Sequence, residues 1–107
     1  MTKEELSSLL HELNIPVNDS ISSDENSAEI PRIVYWDYIW DDVMSSGETY
    51  SEMDTYQISF YSDRPRDPKL IELRDKLRAF GIHPTIYHEY ISEDRIFHSY
   101  FSVEILR

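Results

Sequence analysis

With 107 residues, 40% of them apolar and none of them cysteine, the chain is the size of one domain. It can pack one core but cannot form a disulfide, a thiolate nucleophile or a cysteine-ligated metal site. Twenty-one acidic residues against ten basic ones give a formal charge of −11, which opposes direct binding to nucleic-acid phosphate. That charge suits solubility, a basic partner, or a passage that repels DNA.

No stretch nears the ~18 consecutive apolar residues of a membrane span, and MTKEELSSLL lacks a signal peptide's apolar run. A soluble protein made in a cytoplasm is expected. Thr2 and Glu5 form a capping box, and Leu6, Leu9, Leu10 and Leu13 follow at helical spacing, which predicts an amphipathic helix over 3–13. Asn14 and Pro16 end it. Residues 17–30 are polar and aperiodic, so they read as a flexible arm or loop.

Residues 32–40 read as a strand with Tyr35, Asp37 and Ile39 on one face and Trp36, Tyr38 and Trp40 on the other. Such a strand is apolar on both sides, so its second face needs a cover. The stretch from Asp41 to Glu48 reads as a loop around Gly47. Residues 55–62 form a half-buried strand with Tyr56, Ile58 and Phe60 inward. A helix then starts with Asp67 as N-cap and Pro68 in the first position. It buries Leu70, Leu73, Leu77 and Phe80, carries a Glu72–Lys76 pair, and ends with Gly81 as the left-handed C′ residue. The last 25 residues read as a hairpin turning at Ser92–Asp94, with Phe97, Phe101, Val103 and Ile105 on one face. The expected fold is one α+β domain over 1–107. It is an antiparallel sheet of about four strands with two main helices on it, in the order α-β-β-α-β-β.

Candidate sites are sparse. If Ile91 lies opposite Arg95, then His88 and His98 are cross-strand neighbours that could begin a metal site; shifted by one, Glu89 faces His98 instead. Asp37, Asp41, Asp42 and Glu48 could hold Mg²⁺, but residues 33–63 contain no Lys or Arg to serve phosphoryl chemistry, and a solvated acidic loop is the simpler reading. No nucleophile elbow is present. The chain is therefore read as a non-enzyme with no cofactor. Arg64, Arg66 and Lys69 concentrate positive charge and suit either a solvated loop or contact with an acidic patch on a neighbour or on another copy of the chain.

EELSSLLHELNIPV, PRIVYWDY, TYQISFYSDRPRDPKLIELRDKL and YISED occur in that order and spacing. Together they resemble the small tail-terminator, or tail-completion, proteins of long-tailed phages and prophages of Gram-positive bacteria. The likeness covers nearly the whole chain. It implies a structural virion protein, assembled in the host cytoplasm, that forms a homo-oligomeric ring, commonly a hexamer. Such a ring sits on the major tail tube protein, ends tube growth and joins the tail to the head-completion or connector protein, while DNA passes through unbound. Its subunits reach their neighbours through loops or arms. The segment from Asn18 to Glu29 is longer and more acidic than expected for that family.

On this reading Trp36, Tyr38, Trp40, Arg64 and Arg66 are the expected subunit interface, and Asp41, Asp42 and Glu48 the expected acidic lumen. Tyr and Trp suit interfaces because they combine large area with a polar handle. Two other classes compete: a small acidic DNA mimic that inhibits a host nucleic-acid-binding enzyme, and a metal-dependent enzyme on the acidic cluster.

Overall fold

A computed structural model describes residues 1–20, 30–45 and 48–106, with side chains throughout these ranges except at Tyr38 and at 40–52. The elements are α1 (Lys3–His11), β1 (Val17–Asp19), β2 (Arg32–Ser45), β3 (Glu48–Ser62), α2 (Pro68–Ala79), β4 (Tyr87–Ile91) and β5 (Ile96–Leu106). The fold is α+β, but the sheet has five strands and is mixed, in the order β1-β2-β3-β5-β4. The fifth strand lies in the expected arm. Residues 17–19 run parallel to β2, fixed by the Ile33 amide donating to the Pro16 carbonyl at 2.9 Å and the Ser20 amide to the Tyr35 carbonyl at 2.8 Å. The rest of that arm, 21–29, lies outside the described residues.

Both helices begin as their caps dictate. The Thr2 amide donates to Glu5 Oε1 at 3.1 Å and the Glu5 amide to Thr2 Oγ1 at 3.2 Å, while Asp67 Oδ1 accepts from the Lys69 amide at 2.8 Å. Helix α1 ends two residues early, at His11, and Leu13 stays fully buried beyond it. Gly81 ends α2 with φ +80, where any other residue would be strained. Phe80, expected in the buried stripe, is instead 52% exposed, because it is already the cap residue and has left the helical face. The expected Glu72–Lys76 pair is replaced by two others: Lys69 binds Glu72 at 3.5 Å, and Lys76 reaches Glu12 of α1 at 3.0 Å.

The core is a single layer between these helices and one sheet face. Leu6, Leu9, Leu10 and Leu13 from the first segment and Leu70, Leu73 and Leu77 from α2 pack on Ile33, Tyr35, Tyr56, Ile58, Phe60, Phe101, Val103 and Ile105. Each such side chain contributes about 1.5–3 kcal/mol by leaving water. Both helices therefore lie on the same side of the sheet, and α1 does not cover the second face of β2.

Two features of β2 depart from the expected strand. A bulge falls between Asp37, which pairs with Tyr56, and Ile39, which pairs with Thr55. The extra residue reverses the alternation, so Ile39 joins Trp36 on the face away from the helices. Second, the expected loop from Asp41 to Glu48 belongs to the sheet: β2 runs to Ser45 and β3 starts at Glu48. Beyond the Asp41–Met53 pair this hairpin is two-stranded among the described residues, because β5 ends at Leu106, opposite Met53. It overhangs the sheet by about 15 Å at 3.3 Å per residue, which suits a molecule 51 Å long and 27 Å wide.

Leu73→Ala and Leu77→Ala, both at fully buried positions, are each expected to cost about 2–5 kcal/mol in urea unfolding. Asp67→Ala is expected to cost about 1 kcal/mol. Burial raises the Tyr56 phenol above its ordinary value of 10.0, Lys3 pulls it partly back, and Asp37, Asp54 and Asp19 push it up further. Folding thus favours the protonated phenol, so this stability is complete below the ordinary value and is lost as pH rises toward the raised one. Tyr56→Phe should flatten the alkaline limb of a stability–pH profile; an unaltered limb would refute the assignment.

Candidate interaction surface

On the sheet face that carries no helix, the strand register aligns side chains in rows across four strands. Arg32 pairs with Tyr61, Tyr61 with His98, and His98 with Glu89. The next row is Val34, Ser59, Tyr100 and Tyr87, and the third begins Trp36, Gln57 and Ser102. The rings in these rows stack. The Arg32 guanidinium lies 4.4 Å above the Tyr61 ring. Tyr61 and His98 stack at 4.8 Å, His98 and Tyr100 at 5.0 Å, and Tyr100 and Tyr87 at 5.6 Å.

Glu89 closes the first row. Its carboxylate can only accept, so the 2.8 Å contact with His98 Nδ1 places the imidazole proton there. His98 Nε2 is buried with no hydrogen-bond partner among the described residues. The turn of this hairpin is four residues, Ser92 to Arg95, with Ile91 opposite Ile96. His88 therefore faces Ser99, with its Nδ1 2.7 Å from Ser99 Oγ, and does not pair with His98. Among the described residues no group of three or more His, Asp or Glu could hold a metal ion.

This face is apolar and open. Trp36 is 38% exposed, Ile39 44%, Tyr87 57% and Leu106 49%. Of the expected interface residues, Trp36 lies here, whereas Arg64 and Arg66 lie past the far end of β3 and are exposed. Arg64 is held by Asp63 at 3.3 Å. The side chains of Tyr38, Trp40, Asp41, Asp42 and Glu48 lie outside the described residues. Their backbone positions are fixed all the same: Trp40 pairs with Asp54, Asp41 with Met53, Asp42 with Glu52, and Glu48 with Ser45.

Glu89 opposite His98 is the second of the two registers that the sequence left open; the rest of the row, from Arg32 through Tyr61, was not anticipated from it. Its signal is there, since Tyr61, His98, Tyr100 and Tyr87 all sit at the outward parity of their strands, but only the register brings them together.

The face is lined by stacked rings at one end and exposes large apolar side chains at the other. A double-mutant cycle on Arg32→Ala and Tyr61→Ala should return a coupling of about 0.5–1 kcal/mol in thermal or urea unfolding. Strict additivity would mean that the stacked pair carries no energy of its own. No protein-family model matches the chain, and no curated protein matches it.

Proposed function

We propose that this protein is a structural subunit of a phage or prophage tail, a tail terminator that assembles as a homo-oligomeric ring on the tail tube. There it stops tube growth and presents a surface to the head connector. The observation that carries the reading is the β2–β3 hairpin, which overhangs the sheet with both edges unpaired beyond Asp41 and Met53 among the described residues. A two-stranded ribbon alone in water is marginal, and open strand edges invite pairing with another chain. An arm of this kind is what a ring subunit needs to grip its neighbour. The uncovered face with Trp36, Ile39 and Tyr87 supplies apolar area for the same purpose.

The likeness of sequence points the same way, and the −11 charge suits a ring through which DNA passes without sticking. The reading carries no catalytic role and no cofactor.

Electron microscopy of particles assembled without this protein tests the proposal. Tails of irregular length, or heads and tails left unjoined, are expected. Normal joined particles would overturn it. In a companion measurement Trp36→Ala should lower the mass of the assembled species while leaving the unfolding transition cooperative. A host nuclease or polymerase captured from lysate, in place of tail-tube or connector protein, would instead favour the DNA-mimic class.

A further inference from the structure

A cleft of about 210 Å³ opens beside the start of α2. Leu70, Ile71 and Ile86 form its apolar wall, and Arg66, Arg74 and His88 its polar one, with no carboxylate among the lining residues. In a chain with only ten Lys and Arg, two arginines around one cleft are a local excess of positive charge. Arg66 makes no ion pair among the described residues. Arg74 is shared with its neighbour Asp75 at 3.3 Å, and His88 is oriented through Nδ1 by Ser99. Ile71 is 37% exposed, so the apolar wall is open as well.

The opposite charge sits at the other end of the same strand. The overhanging part of the hairpin contains Asp41, Asp42, Glu48 and Glu52, and no Lys or Arg occurs anywhere in residues 33–63. Strand β3 separates the two regions: it runs for fifteen residues, about 46 Å at its usual rise, from the hairpin turn to the loop before α2. Hence the hairpin cannot reach the cleft of its own chain.

We infer that the acidic β2–β3 hairpin of one copy docks at the Arg66–Arg74–His88 cleft of the next. The contact joins two different surfaces, so it is head-to-tail. Contacts of that type close into a ring when the rotation between subunits divides a full turn, and otherwise extend into a filament. This inference rests on the ring reading above and names the surfaces that would form it.

A charge exchange tests it. One variant carries Arg66→Glu and Arg74→Glu, the other Asp41→Lys and Asp42→Lys, and sedimentation at low and high salt reads the mass. Each variant shifts the −11 by four units, so both stay net acidic and have no overall attraction for each other. Circular dichroism checks that each is folded. Wild-type protein should associate with rising concentration and dissociate in high salt. Each variant alone should associate at least about tenfold more weakly, since like charges then meet at the contact. An equimolar mixture should recover association, because each hairpin then finds a cleft of opposite sign. A mixture no heavier than either variant alone overturns the inference, as does a wild-type chain that is monomeric at every concentration and salt. Tail length in particles is read separately. A failed exchange with runaway tails removes only this contact, and a successful exchange with normal tails removes the tail role.

Discussion

Burial of seven leucines against one face of the sheet is the interaction on which the rest of the molecule depends. Leu6, Leu9, Leu10 and Leu13 come from the N-terminal segment, and Leu70, Leu73 and Leu77 from α2. They meet β2, β3 and β5 at Ile33, Ile58, Phe60, Phe101 and their neighbours. Because the two helices must share that face to cover it, none is left for the other. Among the described residues the second face is closed by its own side chains, in the stack from Arg32 through Tyr61, His98 and Tyr100 to Tyr87. Stacking shields the rings from water partly, and the guanidinium and the Glu89 carboxylate satisfy the two ends of the first row. Toward the hairpin, Trp36 and Ile39 stay 38% and 44% exposed.

The bulge after Asp37 decides where the apolar surface goes. With strict alternation, Ile39 would follow Tyr35 and Asp37 toward the helices. One inserted residue sends it to the open side beside Trp36 instead. The same local event thus enlarges the open apolar face. Nothing in the helical layer requires the overhanging hairpin, since the last core side chain toward it is Ile105, opposite Asp54.

Local chemistry made the helices and inward strand faces legible. Thr2 and Glu5 cap each other within four residues, and Asp67, Pro68 and Gly81 act on their own backbone neighbourhoods. The alternation of Tyr56, Ile58 and Phe60, and of Phe101, Val103 and Ile105, reports a buried face directly. What failed were features set at a distance. Strand β1 is three polar-flanked residues whose only signature is a pair of backbone bonds to β2. The hairpin extension includes Asp, Ser and Gly, residues that read as a loop in sequence. Register could not be read either: a four-residue turn in place of a three-residue one is what separates His88 from His98. The candidate surface was legible at Trp36, where aromatic excess exceeded what one face could bury. The gathering of Arg66, Arg74 and His88 was not, because it joins a loop, a helix and the edge strand.

The distribution of charge bears on the choice between an assembly subunit and a mimic of DNA. A mimic presents rows of uncommitted carboxylates on a rigid scaffold. Here Glu12, Asp19, Asp63, Glu72 and Asp75 each sit within 3.5 Å of a Lys or Arg, and Glu89 is bound to His98. Asp54 and Asp67 are buried, and Asp67 is consumed as a helix cap. The body of the domain thus pairs part of its own acidity, and the longest stretch of sequence without a Lys or Arg, 33–63, includes the hairpin. Charge concentrated on a projecting ribbon and balanced by a basic cleft at the other end of the molecule is a directional pattern. Because the two ends differ, a copy added at one end always leaves the same kind of end exposed. Two unlike ends of this kind are what the proposed head-to-tail contact would join.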